Sequence, residues 1–266
     1  MIDRINFMNW ENPGVALITG SSSGIGKEFA RQLAKQGFNL ILVARREKKL
    51  KEIARELEEN FHISVEVLVA DLSKLSDNER VILRISELDN LDVLINNAGF
   101  GIMRNFLETE RNLHVDMINV HITSPVLFCY AAIPEMAKRK RGVIINTSSM
   151  SAITISPILP MYTATKSAIS VFTELIQKKF KRSGIYFQAL HPGRTITGFH
   201  ETEYWKGFNR DLLPKENWMS AEEVVSLSLA AVKTKKIIFI PGDLTQASAK
   251  EARQKKSKKY LNCETF

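Results

Sequence analysis

The sequence predicts a single-domain α/β protein built on a doubly wound parallel sheet of about seven strands, with helices on both faces. Short, almost entirely apolar runs alternate along the chain with longer amphipathic stretches. Continuous apolar strands are typical of parallel sheets that are covered on both faces. Short connections and right-handed crossovers then favour the doubly wound arrangement. No repeat or low-complexity linker divides the chain.

Seven runs have the length and composition of strands. In chain order they are VALIT (15–19), NLILVA (39–44), VEVLVA (65–70), VLIN (93–96), VIINTSS (143–149), IYFQAL (185–190) and KIIFIP (236–241). Because each is short and bounded by polar or turn-forming residues, we interpret each as one buried strand.

Helix-like stretches separate these runs. They span residues 25–37, 46–61, 75–88 and 106–138, and a further helix carries Tyr162 and Lys166. The resulting domain organisation is an N-terminal extension over 1–12, one folded domain over 13–243 and a basic C-terminal tail over 244–266.

Composition is that of a soluble globular protein, with 44% hydrophobic and 25% charged residues. The two cysteines, Cys129 and Cys263, form no CxxC pair, so nothing suggests an oxidising compartment. No uninterrupted apolar run reaches the ~18 residues of a membrane span, and the N-terminus lacks a signal pattern. We therefore expect a cytoplasmic protein without a transmembrane segment.

The net charge of +8 is uneven, because residues 250–266 hold six basic and two acidic residues. Such a run is usually a solvated face or a frayed end. Docking of this tail on a membrane or a nucleic acid is the alternative, but we expect no nucleic-acid partner. No metal site is expected either, since the histidines lack ligand spacing; they are His62, His114, His121, His191 and His200.

The segment TGSSSGIG (19–26) follows the first strand and opens the first helix. Its glycines are Gly20, Gly24 and Gly26. Glycine lets the backbone bend tightly and approach a ligand, and the helix N-terminus favours a pyrophosphate. The spacing is G-x-x-x-G-x-G, which differs from the G-x-G-x-x-G fingerprint. The turn is the candidate cofactor-binding loop, together with Ser22, Ser23 and Ile25.

The second strand ends in Ala44-Arg45-Arg46, where the usual fingerprint has an acid for the ribose hydroxyl. Two guanidinium groups can instead hold a 2′-phosphate. The pattern therefore favours NADP(H) over NAD(H). The alternative is that the two arginines merely begin a charged helix.

Tyr162 and Lys166 lie four residues apart, on one face of a predicted helix. A free phenol keeps its proton to a pH of about 10, and a nearby ammonium lowers that pKa. A tyrosine tuned in this way could exchange a proton with a substrate. The alternative is a tyrosine packed in a core beside a solvated lysine.

Several motifs in the same order resemble the short-chain dehydrogenase/reductase family, in its compact single-domain Rossmann-type branch. The resemblance covers roughly residues 14 to 241. The motifs are TGSSSGIG (19–26), Asp71 in VADLS, NNAG (96–99), Asn119, Ser149 in NTSS, YTATK (162–166) and HPGRTIT (191–197). It implies an NAD(P)-binding catalytic domain.

The resemblance implies roles for individual residues. Tyr162 would be the general acid or base, Lys166 would lower its pKa and bind the nicotinamide ribose, and Ser149 would hold the substrate oxygen. Asn119 would hold a water in a proton relay. The remaining cofactor contacts would be Asp71, Leu72, Asn97, Ala98, Gly99, Pro192, Gly193, Thr195 and Thr197. Read from the residues alone, Ser148 could also donate, and both NNAG and Pro192-Gly193 could be simple turns.

Three segments are expected to line a substrate pocket beyond the strand ends. The first is Phe100, Gly101, Ile102 and Met103; the second is Ile153, Ile155, Pro157, Ile158, Leu159 and Met161; the third is Phe199, Tyr204, Trp205, Phe208, Leu212 and Leu213. The third is long and aromatic, as in an active-site lid. Part of the second could equally be core or a dimer contact.

These observations predict an NADP(H)-dependent oxidoreductase that interconverts a carbonyl and a secondary alcohol on a largely apolar small molecule, such as an acyl chain or a steroid-like ring system. The alternative from another class is a catalytically silent NADPH-binding regulator. The resemblance also implies a homodimer or homotetramer.

Overall fold

The computed structural model describes residues 10–155, 158–209, 212 and 214–261, with side chains described up to residue 254. Its main sheet has seven parallel strands in the order β3-β2-β1-β4-β5-β6-β9, and β7 and β8 form a separate parallel pair. The strands are β1 (Val15–Thr19), β2 (Asn39–Ala44), β3 (Val65–Val69), β4 (Leu91–Asn96), β5 (Gly142–Thr147), β6 (Ile185–Leu190), β7 (Arg194–Ile196), β8 (Trp218–Ser220) and β9 (Ile238–Phe239). The predicted doubly wound fold is confirmed.

Helices cover both faces of the sheet. They are α1 (Gly24–Ala34), α2 (Glu47–Phe61), α3 (Leu75–Ser86), α4 (Arg111–Ile118), α5 (Ser124–Lys138), α6 (Ser151–Thr154), α7 (Pro160–Lys179), α8 (Ala221–Val232) and α9 (Asp243–Leu261). A π-helical turn, Asn119–Thr123, joins α4 to α5. Shorter 3₁₀ turns cover Phe106–Glu108, Gly198–Glu201, Glu203–Trp205 and Lys215–Asn217.

Two hydrophobic cores, one on each face, explain why the main-sheet strands are largely apolar. In β1, Ala16 and Ile18 pack with α1, α2 and α8, whereas Leu17 packs with α3 and α5. Successive side chains of a strand point to opposite faces. A strand buried on both faces therefore cannot alternate with polar residues.

The helical stretch predicted over 106–138 begins with a separate 3₁₀ turn at Phe106–Glu108. From Arg111 to Lys138 the helix is continuous, but it contains the π turn at Asn119–Thr123 between α4 and α5. By length and composition the helix Arg111–Lys138 could also cross a membrane, although polar residues interrupt its apolar sequence. Half of the most apolar part of this helix is buried in the protein, where Phe128 and Met136 pack against the sheet.

The second half of the chain contains elements that the sequence did not indicate, namely the β7–β8 pair, α6, α8 and α9. Helix α9 occupies most of the segment predicted as a tail, and its Ala249 is buried. Strand β9 is only two residues long within the run predicted over 236–241. Of the expected pocket residues, Pro157 and Leu213 lie outside the described residues.

Candidate active site

A cleft of about 940 Å³ opens at the carboxyl ends of the main-sheet strands. Parallel strands bring the residues that follow them to this one edge. The predicted site residues that line it are Gly20, Ser22, Ser23, Gly24, Ile25, Arg45, Arg46, Asp71, Leu72, Asn97, Ala98, Gly99, Ser149, Tyr162, Lys166, Pro192, Gly193, Thr195 and Thr197. Gly26 packs beneath the first turn, against Gly20 and Asn97.

The turn after β1 is locked to the turn after β4. Gly20 adopts a left-handed conformation (φ 67°), and a Cβ there would lie 2.8 Å from Cα of Ala98. Thr19 Oγ1 accepts hydrogen bonds from the backbone N–H groups of Asn97 (2.9 Å) and Ala98 (3.1 Å). The NNAG segment is therefore more than a simple turn, because it fixes the glycine-rich loop.

Arg46 holds the same loop from the β2 side. Its guanidinium donates to Ser22 Oγ at 2.6 Å through Nη2 and at 3.0 Å through Nε, and to Ser23 Oγ at 2.7 Å. Arg46 and Arg45 are both exposed, and no acid follows β2 before α2 begins at Glu47. The end of β2 therefore presents two cations to the cleft.

Asp71 and Leu72 follow β3, the next strand beyond β2 in the sheet. The Asp71 carboxylate accepts from the backbone N–H (3.2 Å) and the hydroxyl (3.0 Å) of Ser73, and Leu72 is buried. The backbone N–H of Asp71 donates to Asp77, which lowers the pKa of that carboxyl. This segment forms an ordered wall of the cleft.

Tyr162, Lys166 and Ser149 come together where α7 faces the end of β5. Lys166 is 4% exposed, and its Nζ donates to the Thr147 carbonyl at 2.8 Å and lies 5.9 Å from the centre of the Tyr162 ring. The Ser149 side chain hydrogen-bonds the phenol. The pair is thus part of the cleft rather than a core tyrosine beside a solvated lysine.

Burial is the largest cause of the pKa shifts of both Lys166 and Tyr162. It lowers the pKa of the Lys166 ammonium from 10.5 to about 7. It also raises the pKa of the Tyr162 phenol above 10.0, against the opposing effect of the Ser149 hydrogen bond. The expected lowering of the phenol's pKa by Lys166 is not found in this structure, because loss of solvent disfavours the phenolate.

The two neighbouring serines have different surroundings. Ser148 is buried, and its hydroxyl donates to the Lys166 carbonyl at 2.7 Å. Ser149 lines the cleft, and its Oγ accepts from the backbone N–H of Ser151 at 3.1 Å. Both serines border the cleft, but the Ser148 hydroxyl is buried and bonded to the backbone of α7, whereas Ser149 is less buried and hydrogen-bonds the Tyr162 phenol.

Asn119 lies apart from these three residues, at the start of the π turn. Its side-chain amide donates to the backbone carbonyl of Ser73 at 3.0 Å. The backbone carbonyl of Asn119 accepts from the hydroxyl of Ser124 at 2.8 Å. A relay through Asn119 stays a prediction, because the structure gives it no direct hydrogen bond to Tyr162, Lys166 or Ser149.

The far end of the cleft is aromatic, as predicted, but its walls differ from the expected ones. Phe100, Leu159, Phe199, Tyr204 and Trp205 line it. Of the predicted second segment, Ile155 and Ile158 are instead exposed on the surface, and of the third, Leu212 is exposed. Residues that sequence reasoning missed come from β8 and α9 and include Trp218, Met219, Leu244, Thr245 and Ser248.

The segment over Glu203–Trp205 closes on the loop after β4. The Met103 N–H donates to the Tyr204 carbonyl at 2.8 Å, and a Cβ on Gly101 would lie 2.7 Å from Cζ2 of Trp205. Only glycine permits this approach of the indole. Thr197 closes the other side, since a Cβ on Gly24 would lie 3.0 Å from the Thr197 side chain.

Comparison with known proteins agrees with this geometry. A family model described as short chain dehydrogenase matches residues 14–206. The chain belongs to the short-chain dehydrogenase family.

Named relatives of this short-chain dehydrogenase family member include two vertebrate proteins. It is 32% identical over 181 residues to the very-long-chain 3-oxoacyl-CoA reductase of Rattus norvegicus, a match that covers 66% of this chain and 58% of the reductase. It is 34% identical over 225 residues to 17-beta-hydroxysteroid dehydrogenase type 3 of Danio rerio, a match that covers 82% of this chain and 70% of that dehydrogenase. The chain thus spans little more than half the length of the first relative.

Among solved structures, a short-chain dehydrogenase from Sphingobium yanoikuyae in complex with NADPH superposes with a TM-score of 0.82. The two share 28% sequence identity, and the match covers 96% of each chain. The likeness therefore includes the C-terminal elements that lie beyond the family model.

One residue of this short-chain dehydrogenase family member escaped the sequence reasoning, which placed His121 among scattered histidines. It is 1% exposed and lies beneath the site, with its ring centre 5.7 Å from that of Tyr162. A Cβ on Gly99 would lie 2.9 Å from His121 Nε2 and 3.3 Å from Lys166 Nζ. In the sequence, only its position two residues after Asn119 pointed to a place near the active site.

Proposed function

We propose that this protein is an NADPH-dependent oxidoreductase that reduces a bulky, largely apolar ketone to a secondary alcohol. The observation that carries the proposal is the convergence of Tyr162, Lys166 and Ser149 in one cleft with a glycine-rich turn. The alternative of a silent regulator lacks a comparable observation, since the groups that proton transfer requires are all present.

The residues of the cleft fit a dinucleotide. The left-handed Gly20 and its close approach to Ala98 fix the course of the loop, and the N-terminus of α1 that follows it would favour a pyrophosphate. Arg45 and Arg46 would hold the 2′-phosphate, and Asp71 and Leu72 would meet the adenine. Asn97, Ala98, Gly99, Thr195 and Thr197 would line the rest. NADPH, when bound, supplies the hydride that reduces the carbonyl carbon.

Tyr162 has the role of proton donor in this proposal. Since burial raises the pKa of its phenol, the side chain is protonated at neutral pH and can act as an acid. Its proton goes to the carbonyl oxygen, and the resulting tyrosinate regains a proton from solvent. Ser149, which hydrogen-bonds the phenol, would bind the same oxygen and fix its position.

Lys166 would act on both Tyr162 and the cofactor. Its ammonium, fixed by the Thr147 carbonyl, stabilises the tyrosinate that forms as the proton leaves. Lys166 lines the cleft beside Gly99, so it would also meet the nicotinamide ribose. For Asn119 we keep the role that the family resemblance implies, in which it would hold a water in a proton relay to Lys166.

The aromatic end of the cleft supports a bulky substrate. Phe199 and Trp205 lie with their ring centres 5.5 Å apart, and Phe199 is 6.0 Å from the Tyr162 ring. Rigid aromatic walls beside the proton donor favour an extended apolar chain or fused rings. The names of the two vertebrate relatives, a 3-oxoacyl-CoA reductase and a hydroxysteroid dehydrogenase, point to the same kind of ketone.

We place this activity in the cytoplasm, in keeping with a buried, unpaired Cys129. Assembly into a homodimer or homotetramer also stays a prediction. It has support from apolar side chains that α5 and α7 expose, namely Tyr130, Val171 and Leu175.

The test is turnover of ketones of increasing bulk, from acetone through long-chain methyl ketones to a steroid ketone, each with NADPH and with NADH. We expect NADPH to be oxidised faster than NADH. Two further buried methylenes in the chain should lower KM by roughly tenfold. Tight NADPH binding with no turnover of any ketone or alcohol would contradict the proposal and favour the regulator.

A further inference from the structure

Three basic segments precede three neighbouring strands of the main sheet. Residues 138–141 (KRKR) lead into β5, residues 178–182 (KKFKR) into β6, and residues 233–236 (KTKK) into β9. Since β5, β6 and β9 are adjacent and parallel, their amino ends meet at one edge, opposite the active site. None of the three segments contains an acidic residue.

Contacts between the loops show that they form one surface. The Tyr186 hydroxyl of β6 donates to the Lys236 carbonyl at 2.5 Å. Gly184, before β6, packs so closely on the Lys140 carbonyl that no side chain fits there. The exposed cations of this surface, which we name the basic edge, are Lys138, Lys140, Lys178, Lys179, Lys181, Arg182, Lys233, Lys235 and Lys236.

Few of these charges are neutralised. Lys138 pairs with Glu135 at 3.4 Å and Lys178 with Glu174 at 2.6 Å, each within its own helix. The other seven form no ion pair with any residue whose side chain the structure describes. The two remaining arginines of the segments, Arg139 and Arg141, turn inward and bind the buried Asp92.

Favourable interaction with helix dipoles does not account for the basic edge. Cations are stabilised at helix C-termini, and α5, α7 and α8 end here. Yet α2 and α3 end at the same side of the sheet with Glu58, Glu59 and Glu87 in or beside their last turns, and the arginine in the last turn of α3, Arg84, is paired with Glu66 and Glu87. Charge is therefore concentrated on one half of this edge rather than spread over all helix ends.

Two of the lysines occupy positions that suit another residue better. Lys140 (φ 51°) and Lys235 (φ 54°) are left-handed, the conformation in which glycine is favoured after a helix. The chain carries a cation at both positions despite the conformational cost. This strengthens the view that the charge itself has a use.

We propose that the basic edge docks on a membrane surface that contains anionic lipid. Six of the seven unpaired cations are lysines, which act as point charges, whereas base and bidentate phosphate recognition favours arginine. Phe180, the one aromatic residue in the three segments, packs against the hydrophobic core and cannot stack on a base. A lysine-rich surface without an aromatic side chain for stacking fits a layer of anionic lipid headgroups better than a nucleic acid.

Docking through this edge would orient the molecule. The active-site cleft lies at the carboxyl ends of the strands, and the basic edge lies at their amino ends. The cleft would therefore face away from the bilayer, so docking and catalysis would not compete for the same surface.

Flotation with vesicles tests the proposal independently of any enzyme activity. The full chain is mixed with vesicles of phosphatidylcholine alone or of phosphatidylcholine with phosphatidylserine, at low and high salt. The variant Lys181→Gln/Lys235→Gln/Lys236→Gln removes three charges from the basic edge. Its control, Lys48→Gln/Lys49→Gln/Arg55→Gln, removes three exposed charges from α2.

We expect binding only to the phosphatidylserine vesicles, with loss at high salt. At about fivefold per lysine, the basic-edge variant should bind roughly a hundredfold more weakly, and the control should bind like the parent protein. The parent protein's salt dependence provides a measurement that needs no variant.

Three results would overturn the proposal. The first is equal weakening of the variant and its control, because only net charge would then matter. The second is full binding by the basic-edge variant, which would assign the interaction to the basic residues of 250–266. The third is tighter binding to duplex DNA than to the mixed vesicles at physiological salt.

Discussion

His121 Nδ1 lies 2.9 Å from Oγ1 of Thr165, and this contact joins the π turn to the helix that carries Tyr162. The tautomer follows from the other nitrogen. Nε2 accepts from the backbone N–H of Phe100 at 3.0 Å, so the proton is on Nδ1 and is donated to Thr165. Thr165 in turn donates to the Tyr162 carbonyl at 3.0 Å. Burial and the nearby Lys166 charge lower the pKa of His121 well below 6.5, so the ring stays neutral.

Two substitutions of His121 should separate the effects of its two hydrogen bonds on KM and kcat. His121→Asn keeps a donor near Nδ1 but leaves the Phe100 N–H without an acceptor, at a cost of about 1–3 kcal/mol. We expect it to raise the KM of the ketone about tenfold with little change in kcat, because Phe100 lines the cleft. His121→Gln keeps an acceptor near Nε2 and should mainly lower kcat, because α7 loses a restraint next to Tyr162.

The control for this pair is Thr165→Val, which removes the same hydrogen bond from the other side together with the Thr165 hydrogen bond to the Tyr162 carbonyl. Added to His121→Gln it should lower kcat less than it does in the parent protein, and added to His121→Asn it should lower kcat as much as in the parent protein. If His121 contributed only to packing, both His121 variants would lose stability with no split between KM and kcat.

Arg46 should govern cofactor choice. Its guanidinium already holds Ser22 and Ser23, so Arg46→Gln removes both a charge and a restraint on the loop. A charge-assisted hydrogen bond contributes about 1.5–3 kcal/mol, so NADPH affinity should fall roughly 10- to 100-fold and NADH affinity much less. Fluorescence titration measures both. Arg55→Gln, which removes an exposed charge further along α2, should leave the ratio unchanged; an unchanged ratio in Arg46→Gln as well would refute the assignment.

Lys166 should make stability depend on alkaline pH. Its pKa is about 7 in the folded protein and 10.5 in the unfolded chain, so between these values the unfolded chain binds the extra proton. Stability therefore rises as pH increases from about 7 to 10.5. Lys166→Met removes this dependence. In urea unfolding, the difference between the two proteins should change by roughly 2–5 kcal/mol between pH 7 and pH 10; a constant difference would contradict the account.

Local sequence patterns were sufficient to predict the limits of strands that are buried on both faces. β1, β2 and β6 have the predicted limits residue for residue, because turn or charged residues bound each apolar run. β9 could not be delimited in this way, since its two paired residues are set by contact with β6. The β7–β8 pair likewise depends on segments more than twenty residues apart meeting in space.

The site shows the same division. The four-residue spacing predicted that Tyr162 and Lys166 share a helix face, and the family resemblance added Ser149. Arg45 and Arg46 were identified because no acid follows the second strand. The role of His121 could not be predicted, because its partners lie 21 and 44 residues away in the chain. The direction of the Tyr162 pKa was also missed, since burial of the phenol depends on the aromatic end of the cleft rather than on the lysine four residues away.

The most direct test of the central claim is Tyr162→Phe, which removes the transferable proton and keeps the ring. The phenylalanine should preserve the packing against His121 and Phe199, so NADPH should bind as tightly as before. Turnover of any ketone accepted by the parent protein should fall by at least the ~10²-fold typical of a lost general acid. If Tyr162→Phe binds NADPH and reduces the ketone at the parent rate, Tyr162 is not the proton donor and the proposed mechanism is wrong.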